Sequence, residues 1–286
     1  MSKPVSHFDE RLNSLVQAAM VEDLGEGDHS TLAVIPSDAR GKAVLKIKQD
    51  GVLAGVEIAE KIFHSLEPAA IFQLQKKDGE TMQAGDTAFI VEATVHTILA
   101  SERLVLNCMQ RMSGIATLTH QYVHAIRGYS SKILDTRKTT PGFRLLEKEA
   151  VRIGGGLNHR FGLFDMIMLK DNHVDYCGGI RKALDKAHAY VQKYKPGLKI
   201  EVEARTLEDV REVLASGKAN RIMLDNFSPE LLAEALKMIQ KKIETEASGS
   251  INMDNIRDYA ATGVDYISIG ALIHQARSLD LSLKAI

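Results

Sequence analysis

The sequence predicts an α/β protein with two unlike parts, an N-terminal α+β sandwich-like domain and a C-terminal α/β barrel of six to seven parallel strands. Three observations lead to this prediction. The first third of the chain mixes helical and strand patterns without a regular alternation. From residue 131 onward, short apolar runs alternate with helical stretches, which is typical of a parallel sheet. Six of these runs end in charged or small polar residues, as strands do at the active-site face of a barrel.

Domain boundaries follow from this change of rhythm. We predict an N-terminal α+β domain over residues 1–113, a barrel over 114–275, and a tail over 276–286 that packs back on the N-terminal domain. A polar loop punctuated by glycine is expected over 22–31. In the N-terminal part, apolar spacing predicts helices over 8–20, 56–65 and 96–112 and strands over 43–48, 71–75 and 87–95.

The barrel part has six predicted strands separated by helical patterns. These strands span residues 132–135, 166–170, 199–203, 221–225, 243–246 and 266–269. The helices expected between them include 180–194, 207–216, 229–241 and 253–261.

Composition limits the class of protein. The chain has 286 residues, of which 45% are hydrophobic and 26% charged, as in globular proteins. Its 36 Lys and Arg balance 37 Asp and Glu, so we expect no nucleic-acid partner. No apolar run is long enough to cross a membrane. The chain starts without a charged and then apolar leader, and Cys108 and Cys177 lack disulfide or metal spacing, so we expect a cytoplasmic protein.

Cations concentrate between residues 132 and 173. Arg137 and Lys138 directly follow a predicted strand, and a triple glycine at 154–156 precedes His159 and Arg160. Lys170 ends the next strand. Guanidinium groups bind carboxylates and phosphates in pairs of hydrogen bonds, whereas lysine acts as a movable charge. This pattern indicates a polyanionic substrate.

Two further cations of this region, Lys148 and Arg152, lie on a predicted helix. Here we expect solvent-exposed charges rather than site residues.

Acids and small residues follow the later strands. Glu203 and Asp225 end consecutive strands and are expected to face one mouth, where they could bind hydroxyls or Mg²⁺. Glu201 shares the face of Glu203 but lies deeper. The segments Ser248-Gly249-Ser250 and Ser268-Ile269-Gly270 offer backbone N–H groups to a phosphate, as loops after the last barrel strands commonly do.

These blocks resemble one family. DTRKTTPG (135–142), GGGLNHRFGL (154–163) and LKDNH (169–173) are similar to the quinolinate phosphoribosyltransferases, also called decarboxylating nicotinate-nucleotide pyrophosphorylases. EVE (201–203), MLDN (223–226), ERLVLN (102–107) and SIG (268–270) match as well, so the resemblance covers nearly the whole chain.

The resemblance implies a reaction. Quinolinate attacks 5-phosphoribosyl 1-pyrophosphate, pyrophosphate leaves, and CO₂ is lost to give nicotinate mononucleotide. It further implies Mg²⁺, no organic cofactor, and a homodimer or a hexamer of dimers in which neighbouring subunits share active sites.

The resemblance also implies roles for individual residues. The substrate carboxylates would be held by Arg137, His159, Arg160 and, from the adjacent subunit, Arg103; Thr136 would line the same site. Lys138 and Lys170 would face pyrophosphate and ribose. Glu203 and Asp225 would bind the ribose hydroxyls, directly or through Mg²⁺. The segments 248–250 and 268–270 would hold the 5-phosphate.

Three departures from the family pattern are visible. Leu157 stands where histidine is frequent, Ser250 stands where glycine is common, and segment 216–221 is about one residue longer than usual.

Three other interpretations stay open. A paralogue of the same fold could use another acceptor, for example in metal uptake. A barrel lyase or aldolase could use Lys138 or Lys170 as a Schiff base. A module without catalytic activity could simply bind a phosphorylated sugar.

Overall fold

The structure is a computed structural model that describes residues 7–286. The chain folds as two compact units that are interleaved in sequence. The first comprises residues up to 121 together with 138–155 and 272–286, and the second comprises 122–137 and 156–271. Residues 1–6, the start of the predicted N-terminal domain, lie outside the described part.

Residues 7–125 form four helices and five strands. In chain order they are α1 (Phe8–Leu24), α2 (His29–Val34), β1 (Arg40–Ile47), β2 (Gly51–Val52), α3 (Val56–Leu66), β3 (Ile71–Leu74), β4 (Thr81–Met82), β5 (Thr87–Thr94) and α4 (Val95–Ala125).

Residues 126–286 form seven helices and seven strands. They are β6 (Lys132–Leu134), α5 (Arg144–Ile153), β7 (Ile167–Leu169), α6 (Asp171–Cys177), α7 (Ile180–Tyr194), β8 (Ile200–Ala204), α8 (Leu207–Ser216), β9 (Arg221–Asp225), α9 (Pro229–Ile239), β10 (Glu244–Ser248), α10 (Ile256–Ala261), β11 (Tyr266–Ser268), α11 (Ala271–His274) and β12 (Leu281–Ala285). Within residues 7–286, no helix has both the length and the apolar character needed to cross a bilayer.

The first unit is built on an antiparallel sheet. Its strand order is β12-β1-β5-β3, and β1 pairs along its length with β5 and with the C-terminal strand β12. Phe63 of α3 packs on the sheet against Phe72 and Phe89, whose ring centroids lie 4.4 Å apart. The strands therefore bury an aromatic core under a helix, as the α+β prediction requires.

The second unit is built on a parallel sheet of order β6-β11-β10-β9-β8-β7. Each of the six predicted strands is present, within two residues of its predicted limits. All five residues of β8 are buried, as expected for a strand covered on both faces. Beyond β6, Leu157 forms an isolated parallel bridge with Leu134, so the possible seventh strand is reduced to one residue. The predicted fold class is confirmed.

Local structure differs from the prediction around residues 20–31. Helix α1 runs on to Leu24, and a second helix, α2, begins inside the segment predicted as a loop. The carboxylate of Asp28 accepts hydrogen bonds from the backbone N–H groups of Ser30 and Thr31 and so caps α2. The sequence of residues 28–31, Asp-His-Ser-Thr, is typical both of a turn and of the start of a helix.

Helix α4 is nearly twice as long as predicted, and α5 is more deeply buried. On α4, the prediction stopped near Met112, but the helix continues to Ala125. On α5, Lys148 is fully buried, so its expected exposure was wrong. Arg152 is half-buried and pairs with Glu149 one turn away on the same helix.

A buried ion pair fixes α5 within the first unit. The carboxylate of Glu147, which is fully buried, accepts from Nη2 of Arg111 at 2.9 Å and from the backbone N–H of Thr140 at 2.8 Å. Arg111 also donates to the carbonyls of Ile273 and Ala276. One buried carboxylate thus compensates a partly buried guanidinium and accepts from a loop amide.

We predict that Glu147→Ala lowers the free energy of unfolding by about 3 kcal/mol, because it removes a fully buried carboxylate and leaves the partly buried Arg111 guanidinium without its counter-charge. Urea denaturation followed by circular dichroism measures the loss. Glu149→Ala, which breaks the more exposed Glu149–Arg152 pair of the same helix, is the matched control and should cost less than about 1 kcal/mol. Equal losses in the two variants would contradict the importance of the buried pair.

Candidate active site

The second unit gathers predicted site residues at one end of its parallel sheet. Thr136 and Arg137 follow β6, Lys170 follows β7, and Glu203 lies near the end of β8. Asp225 is the last residue of β9, Ser248-Gly249-Ser250 ends β10 and continues beyond it, and Ser268-Ile269-Gly270 does the same at β11. Because all six strands are parallel, these residues share the carboxyl-terminal edge of the sheet.

Two predicted residues belong to the first unit. Arg103 is exposed on α4, and Lys138 is exposed just beyond the last residue that the second unit takes from this loop. Lys138 follows Arg137 directly along the chain.

An ion pair links the ends of β7 and β8. The ammonium of Lys170 lies 3.0 Å from Oε1 of Glu203, and the backbone N–H of Asp171 donates to Oε2 at 3.0 Å. The imidazole of His173 accepts from the backbone N–H of Lys170 at 3.0 Å and fixes the start of α6. Lys170 and Glu203 are therefore held in place from both sides.

The surroundings of Asp225 disfavour ionisation of its carboxyl group. Partial burial raises the pKa of its carboxyl above the ordinary value, and the nearby charge of Glu203 raises it further, while Lys170 opposes the shift. The side-chain amide of Asn226 donates to Asp225 at 2.7 Å. Two carboxylates that repel one another at a strand edge suit a cation or the hydroxyls of a sugar.

Two arginines, Arg137 after β6 and Arg160 on the loop before β7, belong to the candidate site. Partial burial and the charge of Arg137 lower the pKa of Arg160 from its ordinary value. Arg160 also donates from Nη1 to the carbonyl of Met166 at 3.2 Å. A pair of neighbouring guanidinium groups is favoured when an anion lies between them.

The loop that carries His159 and Arg160 is tied to the loop after β6. Asp135 is fully buried, and its carboxylate accepts from the backbone N–H of His159 at 2.8 Å. Its own N–H donates to the carbonyl of Leu157 at 3.1 Å. Two sequence blocks that are 20 residues apart are thereby joined, which explains why DTRK and NHR act as one site element.

The ring of His159 points into the barrel. Its Nε2 lies 2.9 Å from Glu201 and 3.4 Å from Glu246, and its Nδ1 accepts from the backbone N–H of Arg160 at 2.7 Å. Both ring nitrogens thus face protein groups. The predicted bond from His159 to a substrate carboxylate stays a prediction.

Glu246 and Arg221 were missed by the sequence analysis. Glu246 is fully buried on β10, and its Oε2 lies 3.1 Å from Nη1 of Arg221 on β9. The period of two that placed Glu201 inside the barrel applies equally to Glu246, two residues before Ser248, and to Arg221, four before Asp225. This alternation was the available signal.

The segment 248–250 has the backbone of a ligand loop. Gly249 has φ +97°, and a Cβ there would lie 2.1 Å from Oδ1 of Asn226. Only glycine fits this position. Ser250 also has a left-handed φ of 52°, a conformation that a glycine would adopt without strain. Ser248 belongs to β10 itself and pairs with Asp225, whereas the prediction ended this strand at Glu246.

The segment 268–270 is more fully engaged by the protein. The Ser268 hydroxyl donates to the carbonyl of Ala247 at 3.4 Å, and the Ile269 N–H donates to the carbonyl of Leu134 at 3.0 Å. Gly270 then precedes α11. Segment 268–270 therefore already uses some of its polar groups in hydrogen bonds within the protein, which are not available to a phosphate.

A basic cavity lies at the opposite, amino-terminal end of the same sheet. It has a volume of about 680 Å³, and its charged lining consists of Lys132, Lys199, Lys241, Lys242, Glu244 and Asp265. This end of a barrel is generally occupied by groups that serve stability.

Family models cover almost the whole described chain. The model of the quinolinate phosphoribosyl transferase N-terminal domain matches residues 28–113, and that of its C-terminal domain matches residues 115–284. The chain belongs to the quinolinate phosphoribosyltransferase family.

Relatives of this family agree over nearly full length. A protein of Bacillus subtilis, described as a probable carboxylating nicotinate-nucleotide pyrophosphorylase, is 41% identical over 273 residues, which are 96% of this chain and 93% of the relative. The chloroplastic nicotinate-nucleotide pyrophosphorylase of Arabidopsis thaliana is 43% identical over 297 residues, covering 99% of this chain and 85% of the relative.

Solved structures agree with the fold. NadC from Streptococcus pyogenes superposes with a TM-score of 0.90 at 39% identity, covering all of both chains. Human nicotinic acid phosphoribosyltransferase, at 12% identity and a TM-score of 0.62, shares the fold alone.

We predict that Asp225→Asn raises the melting temperature at pH 7 by about 2 °C. Since the folded-state pKa of this carboxyl is raised, the folded state binds its proton more tightly than the unfolded chain does. Ionisation therefore costs stability as pH rises through that pKa. The gain should disappear below the ordinary Asp value of 3.8. Calorimetry of both proteins from pH 3 to pH 8 measures this, and a variant that is less stable at pH 7 would contradict the strained carboxyl.

Proposed function

We propose that this chain transfers a phosphoribosyl group from 5-phosphoribosyl 1-pyrophosphate to quinolinate with decarboxylation, producing nicotinate mononucleotide, pyrophosphate and CO₂ for NAD biosynthesis. The observation that carries the proposal is the presence of two like-charged pairs at one sheet edge. Arg137 and Arg160 suit a dicarboxylate, and Glu203 and Asp225 suit a sugar that develops positive charge. The names of the relatives at 41–43% identity support the same reaction.

The acceptor is held by its charges. The guanidinium groups of Arg137 and Arg160 bind the two carboxylates and set the pyridine nitrogen toward the anomeric carbon. Thr136 lines this side of the site, and His159 supports it. The loops at 248–250 and 268–270 hold the 5-phosphate through backbone N–H groups.

Transfer then requires little covalent help from the protein. The nitrogen lone pair of quinolinate forms the new bond to the anomeric carbon, and the bond from that carbon to pyrophosphate breaks. The ribose gains oxocarbenium character, which the carboxylates of Glu203 and Asp225 stabilise, while Lys138 and Lys170 stabilise the departing anion.

Decarboxylation follows from the charge of the product. The ribosylated nitrogen is cationic, so the electron pair left when the adjacent carbon loses CO₂ is stabilised by that nitrogen and then takes up a proton. The substrate is its own electron sink, and the proposal needs no organic cofactor. Desolvation of the leaving carboxylate, with the other one anchored by arginine, promotes this step.

Magnesium fits the acid side of the site. Glu203 and Asp225 are oxygen donors whose mutual repulsion, seen in the raised pKa of Asp225, a divalent cation would relieve. We propose that these two residues hold Mg²⁺ together with substrate oxygens. When bound, the ion supplies positive charge to the pyrophosphate.

The exposed position of Arg103 on α4 is compatible with a role in a neighbouring subunit. We propose a homodimer, or a hexamer of dimers, in which Arg103 reaches the partner's acceptor site. The cytoplasmic location is proposed from the sequence, and plant relatives carry names of other compartments, such as the chloroplast.

The Schiff-base interpretation has less support. Lys170 forms an ion pair with Glu203, and a lysine nucleophile requires the neutral amine in an apolar pocket.

The test is a coupled assay with 5-phosphoribosyl 1-pyrophosphate, Mg²⁺ and either quinolinate or nicotinate. We expect one CO₂ for each nicotinate mononucleotide from quinolinate, and turnover of nicotinate at least about a hundredfold slower, because it leaves an arginine unpaired. Chelation should abolish activity and Mg²⁺ should restore it.

Variants sharpen this assay. Arg137→Ala should raise the KM for quinolinate by about tenfold or more, the usual effect of losing a charged hydrogen bond. Lys199→Ala, a cation at the opposite end of the same sheet, is the control and should change nothing. Binding of 5-phosphoribosyl 1-pyrophosphate without turnover of quinolinate would reject this acceptor and favour the paralogue.

A further inference from the structure

The barrel interior carries a cluster of four charged or titratable side chains, which we call the interior cluster: His159, Glu201, Arg221 and Glu246. Both glutamates are fully buried, and the side chains of His159 and Arg221 are 6% and 13% exposed. The centre of a barrel is ordinarily packed with branched apolar residues. A buried charged cluster in this place needs a reason beyond stability.

Contacts in the interior cluster run from strand to strand toward the acceptor loop. Arg221 of β9 lies 3.1 Å from Glu246 of β10, and Glu246 lies 3.4 Å from Nε2 of His159. Glu201 of β8 lies 2.9 Å from the same nitrogen. The ring is therefore held between carboxylates from two strands.

With Arg221 charged, His159 neutral and both glutamates ionised, the interior cluster carries one net negative charge. One additional proton on His159 or on a glutamate makes the cluster neutral. Burial opposes charge on the imidazole, but the adjacent carboxylates of Glu201 and Glu246 raise the pKa of His159 to about 9. The Arg160 N–H at Nδ1 opposes a second ring proton and favours the proton on Glu201. Either arrangement leaves the cluster neutral at pH 7.

The two carboxylates and the imidazole could also suit a metal ion, since ligand atoms of His159, Glu201 and Glu246 lie within 4.8 Å of one another. Arg221 already supplies a positive charge to Glu246 at 3.1 Å. A proton completes the charge balance, whereas a divalent ion would exceed it. We therefore interpret the interior cluster as a set of contacts that orients the ring of His159.

The ring in turn fixes the next residue. Nδ1 of His159 accepts from the backbone N–H of Arg160 at 2.7 Å, and Asp135 holds the N–H of His159 at 2.8 Å. With Nε2 directed to the carboxylates, Nδ1 has one orientation relative to the backbone of Arg160. These contacts set the backbone from which the Arg160 side chain starts.

We propose that Glu246, together with Glu201, is a positioning residue for the acceptor site: it locks the ring of His159 and, through that ring, the backbone that presents Arg160 to the substrate carboxylates. This inference rests on the proposed function. It assigns a role to a buried acid that touches neither substrate nor reacting atoms. Loss of the lock should weaken acceptor binding and leave the phosphoribosyl donor unaffected.

Glu246→Gln is the decisive variant, and Glu244→Gln is its matched control. Glu244 lies two residues earlier on the same face of β10 and contacts Arg221 at 3.1 Å, but its recorded ion pairs are with Arg221 and Lys199 rather than His159. Glu246→Gln should raise the KM for quinolinate about tenfold, a usual loss for a supporting contact. We expect kcat and the KM for the donor to stay within about twofold, and Glu244→Gln to change none of these.

Two further readouts separate positioning from general destabilisation. In enzyme labelled with ¹⁵N-histidine, one imidazole should shift in Glu246→Gln and remain unshifted in Glu244→Gln. Glu201→Gln provides a second removal of the lock if Glu246→Gln fails to fold, and its quinolinate KM should also rise. Circular dichroism at the assay temperature verifies that each variant is folded.

The proposal is overturned if folded Glu246→Gln and Glu201→Gln keep the wild-type KM for quinolinate, or if Glu244→Gln weakens acceptor binding equally. It is also overturned if donor and acceptor constants worsen together. Each of these results leaves the proposed function intact, because wild-type turnover is measured in parallel. Absence of wild-type turnover would instead reject the proposed function itself.

Discussion

Neutralisation of charge inside the barrel is the constraint on which the rest of the site depends. Glu201 and Glu246 are removed from water on β8 and β10, the strands on either side of β9, and burial of either charge without a partner would be costly. Arg221 and His159 compensate them at 2.9–3.4 Å. Since His159 sits on the loop that also carries Arg160, the same contacts that make the interior tolerable also fix the acceptor side of the site.

Above this interior, the strand ends keep like charges together. The charge of Arg137 opposes that of Arg160, and the charge of Glu203 opposes that of Asp225, with only Lys170 to offset the acid pair. Such arrangements reduce stability and are typical of functional sites, where substrate supplies the missing counter-charge. In the proposed reaction, a dicarboxylate would relieve the arginine pair, and a cationic sugar with Mg²⁺ would relieve the acid pair. The separation of the two signs across one edge orients acceptor and donor toward each other.

Regular alternation made much of this fold predictable. The βα rhythm after residue 131 located all six parallel strands, and the parallel direction then placed Lys170, Glu203 and Asp225 at one edge. Prediction failed where tertiary contacts override local pattern. Leu157 contributes a single bridge, too short to have periodicity, and Lys148 is buried because neighbouring elements cover its helix. The alternation of Glu246 with Ser248 could have identified Glu246 as an inward-facing residue. It was missed because the predicted strand ends at Glu246, whereas β10 continues to Ser248.

The position of the bound acceptor tests the central claim most directly. A crystal structure of the protein with quinolinate is predicted to show its two carboxylates on the guanidinium groups of Arg137 and Arg160, at charge-assisted distances of about 2.7–2.9 Å. Quinolinate bound instead in the lysine-lined cavity at the opposite end of the sheet, beside Lys199 and Lys241, would contradict the assignment of the acceptor site.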